Sequence, residues 1–186
     1  MSEAMTAVSA LNGKTVSGFC TVAEGGLQGM ITLRADFGSK ALADALEWLG
    51  LSLPEPRKVV TKGAKSVLWM SPDELLILVP YADAVSVAHA METSLKGEHF
   101  LVANVSEARA MFTVTGARAA EVVMKISPID FGTMARDEVR RTRTAQTAAA
   151  VWWSGDEQLS LVCFRSYATY VMGLLEVSAR PGGELF

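Results

Sequence analysis

Val102–Asp130 reads VANVSEARAMFTVTGARAAEVVMKISPID, and the order of residue types along it sets the plan of the chain. Met111, Phe112, Thr113, Val114 and Thr115 are large or β-branched, the composition of a buried strand. Gly116 supplies a residue free to take positive φ where the strand turns. Ala117 to Lys125 then reads as a short helix with Ala120, Val123 and Met124 on one face. Pro128 forbids its continuation, since proline lacks the amide hydrogen and clashes with the preceding turn. Just upstream, Ser106 and Glu107 close one strand and Arg109 begins the next.

The same plan occurs earlier. Leu27 to Phe37 holds a strand around Met30–Leu33, Gly38 follows, and Ser39 caps a helix from Lys40 to Leu49 with Leu42, Ala45, Leu46 and Leu49 at helical spacing. Gly50 ends that helix, and Leu53 to Pro56 forms a stiff connector. Strands Ser66–Met70 and Leu75–Val79 are joined by the turn residues Ser71 to Glu74. A helix over Ala82–Leu95 presents Val85, Ala88, Met91 and Leu95, and Phe100 to Val105 leads into the opening stretch. Beyond Asp130 comes a basic, threonine-rich run through Arg136, Arg140, Arg141, Thr142, Arg143, Thr144 and Thr147. Ala148–Trp153 and Leu159–Phe164 form a second hairpin around Ser154, Gly155 and Asp156. Ser166 caps a last helix to about Ser178, with Tyr170, Val171, Leu174 and Leu175 inward. Residues 1–26 read as an arm, loose or laid against something else, and Pro181, Gly182 and Gly183 release a tail over 181–186.

The two hairpins resemble each other. WMSPDELLILV from Trp69 and WWSGDEQLSLV from Trp152 share seven identities in eleven positions at an offset of 83, pairing Trp69 with Trp152 and Asp73 with Asp156. Self-similarity at a fixed period signals duplicated supersecondary units. The expectation is one α+β domain of two split-βαβ, ferredoxin-like halves, 27–101 and 102–180.

Bulk numbers narrow the function classes. With 186 residues, 50% hydrophobic and 20% charged, the chain has material for a packed core. A net charge of −3 and no long basic run leave nucleic acid and anionic membranes without an electrostatic argument. The absence of 18 consecutive apolar residues argues against a spanning helix, and the N-terminus lacks the look of a signal peptide. Two cysteines, Cys20 and Cys163, make no disulfide framework and fit a reducing cytoplasm.

Catalytic chemistry does not assemble from these residues. His89 and His99 are spaced for no paired ligand set, and no glycine-loop phosphate motif occurs. Cys163 sits mid-strand, where a thiol behaves as a small apolar group. Asp73, Glu74, Asp156 and Glu157 fall in hairpin turns and read as solvated turn acids, while Trp69, Trp152 and Trp153 read as core or interface anchors. No catalytic, cofactor-binding or metal-binding residue is therefore expected in this chain. Arg140, Arg141, Arg143 and Arg165 are the candidate interface residues, because the planar guanidinium fork pairs with carboxylates and stacks on aromatic rings. The competing expectation is local pairing of the first three with Asp130, Asp137 and Glu138.

At these residues the sequence resembles the gamma-subunit family of heterotetrameric sarcosine oxidase. The resemblance is carried by LRADFGSKALADALEWLGLSLP from Leu33, LWMSPDELLILVP from Leu68, NVSEARAMFTVTGARAAEVVMKISPIDF from Asn104, RTRTAQTAAAVWW from Arg141 and RSYATY from Arg165. It implies a fold akin to the folate-binding domain of the glycine-cleavage T protein. It also implies a complex with alpha, beta and delta subunits that demethylates sarcosine to glycine and passes the one-carbon unit to tetrahydrofolate. FAD, FMN, NAD and folate would be bound on the larger subunits. The aspartate-bearing segment by which T proteins engage folate has no counterpart at Ala148–Trp153, and the lysine-glycine-cysteine motif of related stand-alone proteins is absent. Two other readings are a stand-alone folate-binding or one-carbon-transfer protein, and a regulatory module holding a small ligand between its halves.

Overall fold

The computed structural model describes residues 6–186. The chain runs through β1 (Thr15–Ser17), β2 (Thr21–Glu24), β3 (Gln28–Arg34), α1 (Lys40–Trp48), β4 (Val59–Lys62), β5 (Lys65–Ser71), β6 (Glu74–Pro80), α2 (Ala84–Ser94) and β7 (Leu101–Asn104). It continues through β8 (Arg109–Thr115), α3 (Ala119–Met124), β9 (Val139–Thr144), β10 (Thr147–Gly155), β11 (Gln158–Phe164) and α4 (Ala168–Ser178). Ser39 caps α1 as expected, its hydroxyl accepting the Leu42 N–H at 3.3 Å.

The strands form two antiparallel sheets, β4-β5-β6-β3-β7 and β1-β2-β8-β11-β10-β9. Each half lends its leading strand to the other: β2 precedes β3 but pairs with β8, and β7 precedes β8 but pairs with β3. The sheets face each other through Met30, Leu68, Leu76 and Leu78 on one side and Val139, Ala150, Trp152 and Val162 on the other. Their outer faces are covered by α1 and α2 in the first half and by α3 and α4 in the second. The result is a mixed α+β domain in four layers. It explains why β6 and β11 are almost uninterrupted apolar runs, since strands covered on both faces lose the usual alternation.

Several expectations need correction. Part of the presumed arm is regular structure: β1 and β2 extend the second sheet, and the Phe19 N–H donates to the Ala179 carbonyl at 2.9 Å. A half-boundary at Leu101/Val102 cuts β7, which is bonded to β3 and so completes the first sheet. The tail is held, with the Lys125 ammonium donating to the Gly183 carbonyl and the Leu185 N–H donating to Glu121 at 2.9 Å. Ser166 lies inside a 3-10 turn, Arg165–Tyr167, and makes no cap. A matching turn occupies Tyr81–Asp83 ahead of α2, whose inward face takes Ala88, Met91 and Leu95 as expected, with Val87 buried and Val85 exposed. Short β4, and β9 with its run of arginine and threonine, are strands that composition alone did not reveal.

The hairpins correspond, but one residue away from the offset their identities suggest. β6 and β11 begin at Glu74 and Gln158, and α2 and α4 begin at Ala84 and Ala168, each pair 84 apart. Trp69 faces Leu75 across its hairpin as Trp153 faces Leu159, with a bulge following each. The counterpart of Trp69 is therefore Trp153, and both are half-buried on the outer faces. Trp152 points between the sheets and is 3% exposed, since a one-residue slip exchanges the two faces of a strand.

Candidate functional site

β9 is held by a two-residue turn at Ala145–Gln146, where Ala145 takes a φ of +48°, and by its ladder to β10. Strand alternation sends Val139, Arg141 and Arg143 to the inner face and Arg140, Thr142 and Thr144 to the outer. Three guanidinium groups close in sequence are thus divided between two faces. Thr144 is fully buried and its hydroxyl pairs with that of Ser127 at 3.0 Å, so the threonines of the run serve packing.

Two buried acids collect the arginines. The Glu138 carboxylate, 5% exposed, accepts from Arg140 at 3.1 Å and from the Ala135 N–H at 3.1 Å through one oxygen, and the Arg57 guanidinium stands 3.3 Å from the other as an ion pair without a hydrogen bond. Glu74, 6% exposed, receives Arg34 at 2.8 Å and Arg141 at 3.2 Å, and Arg141 also donates to the Met70 carbonyl at 3.3 Å. Arg141 thereby ties the second sheet to the hairpin of the first. Glu74 is the exception among the turn acids: it opens β6 in register with Arg34, which draws it inward, whereas Asp73, Asp156 and Glu157 stay exposed. Arg109 stands nearby with its guanidinium 4.4 Å from the Phe164 ring. Burial lowers its pKa, with Glu74 opposing the shift and Arg141 adding to it.

The expected local pairing holds only for Glu138. Asp130 accepts the Gly132 N–H at 2.9 Å, and Asp137 pairs with Lys58 at 2.7 Å. Arg143 is exposed, and among the described residues no acid lies within ion-pair distance of it. Arg165 belongs to a different set, with Glu107 at 3.6 Å and the Val8 carbonyl at 2.8 Å, and shares no partner with the β9 arginines. Sequence reading gave no site role to Arg34, Arg57 or Arg109 and took Glu74, which is buried, for a solvated turn acid. The one usable signal was the register of LRADF against the hairpin turn, which is invisible until β3 is paired with β6.

Clefts flank β9 on both sides. One of about 340 Å³ is lined by Arg57, Trp69, Met70, Val139, Arg140 and Arg141, and another of about 250 Å³ by Asp130, Thr133, Arg140, Arg141 and Thr142 among others. Arg57 borders the first in left-handed backbone, φ +65°, an uncommon state for a residue with a Cβ. Guanidinium groups stay charged at any working pH, so this arrangement suits holding carboxylates and not moving protons.

Elsewhere His89 and His99 are exposed, and no group of His, Cys, Asp or Glu suited to a metal occurs among the described residues. Cys163 is fully buried and desolvation raises its thiol pKa to about 11, with Arg109 opposing. The inter-sheet space is filled by Met30, Leu68, Trp152 and their neighbours. The cavity left at its end, about 200 Å³, is smaller than the roughly 300 to 1,000 Å³ that ligand sites occupy. No helix among the described residues is long and apolar enough to cross a membrane.

Fold and site together define a two-sheet α+β scaffold with an arginine-lined edge. A family model described as the sarcosine oxidase, gamma subunit family matches residues 34–180, and the chain belongs to that family. The gamma subunit of sarcosine oxidase from Corynebacterium sp. (strain P-1) is 25% identical over 146 residues, covering 76% of this chain and 71% of that one. A chain of heterotetrameric sarcosine oxidase from Corynebacterium sp. U-96, solved with pyrrole 2-carboxylate, matches with a TM-score of 0.79 at 23% identity, over 89% of this chain and 87% of that one. Aminomethyltransferase T of the glycine cleavage system from Bartonella henselae matches at 0.63 and 12% identity, over 83% of this chain and 44% of that one. The expected kinship of fold with the T protein is therefore present.

Proposed function

We propose that this chain is the non-catalytic gamma subunit of a heterotetrameric sarcosine oxidase, which oxidatively demethylates sarcosine to glycine and transfers the one-carbon unit to tetrahydrofolate. The observation that carries the reading is the family match over residues 34–180, running from the end of β3 to the end of α4. In this reading alpha, beta and delta subunits are the partners, and they hold FAD, FMN, NAD and tetrahydrofolate. Arg140, Arg141, Arg143 and Arg165 form contact surface towards them. Two buried, unpaired cysteines fit a cytoplasmic complex.

The filled inter-sheet core weighs against a ligand held between the two sheets. Calorimetry of the purified chain with tetrahydrofolate is expected to show no binding at micromolar concentration, and micromolar affinity would favour a stand-alone folate protein. Co-expression with the larger subunits is expected to give a stoichiometric complex. Replacing Arg141 and Arg143 together by alanine is expected to weaken that association about tenfold or more. Unchanged assembly in the double variant removes these arginines from the contact surface.

A further inference from the structure

The main chain of β9 is as informative as its side chains. The Val139 N–H donates to the Arg57 carbonyl at 2.8 Å and the Asp137 carbonyl accepts the Val59 N–H at 2.8 Å, both away from β10. In an antiparallel ladder every second residue turns its peptide groups outward. The two-residue turn beyond Thr144 fixes the same phase from the other end, because it makes Thr144 and Thr147 a bonded pair. Both ends agree that Arg141 and Arg143 direct their N–H and C=O groups outward. Among the described residues no backbone hydrogen bond reaches those groups from beyond the sheet.

We propose that this free edge of β9 receives an extended, acidic segment of a partner subunit as an added strand; the inference rests on the subunit reading above. An added strand turns alternate side chains to the two faces, and a cleft waits on each side of the edge. The cleft of about 340 Å³ offers Arg57, Arg140, Arg141 and the Trp69 ring and is the one suited to an acidic side chain, while that of about 250 Å³ sets Arg140 and Thr142 beside Asp130 and suits a neutral polar one. Charge selects the occupant. Among the described residues Arg57, Arg140, Arg141 and Arg143 pair only with Glu138 and Glu74. This cationic surplus sits on a chain of net charge −3. A second copy of β9 would place arginine against arginine, which opposes self-pairing.

The test uses the full-length chain, alone and co-expressed with the other subunits. Amide hydrogen exchange at Arg141 and Arg143 is expected to be fast in the isolated chain and slowed at least about 100-fold in the complex, since edge amides become ladder amides. Arg143→Pro deletes an outward N–H that the fold does not use, a position where edge strands tolerate proline. It is expected to weaken assembly about tenfold more than Arg143→Ala, with the isolated variants melting alike. Should Arg143→Pro fail to fold, the exchange measurement on the unaltered complex decides alone. Alanine variants that weaken assembly while both amides stay unprotected in the complex overturn strand addition and leave the interface reading standing. Unchanged assembly in the Arg141→Ala, Arg143→Ala double variant overturns the acidic character of the added strand. Protection in the isolated chain with concentration-dependent dimerisation overturns the acidic partner in favour of a second copy.

Discussion

The two halves meet where their edge strands β4 and β9 exchange a reciprocal pair of backbone hydrogen bonds, and there they differ most. β4 is four residues, VVTK, while β9 is six, VRRTRT, and runs on past the junction. Behind the edges the halves agree: Val67 and Val151, Leu75 and Leu159, Ile77 and Leu161, Val79 and Cys163 occupy matching buried positions beneath their helices. Packing at crystal-like density leaves core positions little latitude, whereas an edge residue answers mainly to what lies beyond it. A duplicated fold is thus kept alike inside and made unlike at its rim. Chemistry that distinguishes this chain belongs to the rim of its second half.

The correspondence between halves is tested most strongly at the tryptophans. Trp152→Ala opens a cavity between the sheets and is expected to cost about 3–5 kcal/mol, read by urea unfolding. Trp69→Ala and Trp153→Ala, both half-buried on outer faces, are expected to cost about 1–2 kcal/mol each and to resemble one another. Equal costs at Trp69 and Trp152, with Trp153 apart, would restore the offset of 83. All three variants are expected to unfold in one transition, because the inter-sheet cluster draws on both halves.

That offset shows what the sequence could and could not yield. Strand, turn and helix types were legible because apolar periodicity and the punctuation by Ser39, Gly50 and Pro128 act locally. The duplication was legible for the same reason. Its register was not, since bulges after Trp69 and Trp153 let the aligned turn letters and the paired backbone differ by one. β2 escaped notice because its partner β8 lies about ninety residues away, and pairing across that distance leaves no periodic mark; β1 is three residues long and pairs only with β2. At the candidate site the arginines were legible and their partners were not. Burial of Glu74 and Glu138 depends on register and on the junction of the sheets, which composition does not encode.

The match between Val79 and Cys163 can be broken with pH. The Cys163 thiol ionises at about 11 when folded against an ordinary 9.0, so burial favours its neutral form. Below pH 9 both folded and unfolded chains hold the proton and nothing is lost. As pH rises from about 9 to about 11 the unfolded chain releases it first, and stability falls by roughly 2–3 kcal/mol. Cys163→Val, which copies the first half, is expected to remove that part of the alkaline loss. Titration of both proteins by thermal melting between pH 8 and 11 checks it. Parallel curves would show that Cys163 is not desolvated as its position implies.

The halves also differ in what borders the lent strands, since only the second sheet extends through β2 to β1. A Cβ at Gly18 would stand 1.9 Å from the Ala179 carbonyl oxygen, a backbone atom that cannot swing aside. Gly18→Ala is therefore expected to cost about 1–3 kcal/mol and to expose the segment before β3 to protease. An unaltered melting temperature with the segment still protected would show that the arm has latitude against α4, and the second sheet would then be less firmly extended than the first.

The smallest effects separate residues within β9 itself and sharpen the contrast between core and rim. Arg140 contacts a nearly buried carboxylate that among the described residues has only Arg57 as a second cation, so Arg140→Ala leaves Glu138 poorly compensated. Because Arg57 and the Ala135 N–H remain, the expected loss is about 1 kcal/mol and not the 3–5 kcal/mol of a fully orphaned buried charge. Arg143 is exposed with no acid in reach among the described residues, and Arg143→Ala is expected to change the stability of the isolated chain by less than about 0.5 kcal/mol. Chemical denaturation of the two variants side by side measures the difference. A residue that contributes little to its own fold, beside an open strand edge, is where the proposed partner contact would show most cleanly. Equal losses at the two positions would instead make the whole arginine run part of the domain's own structure.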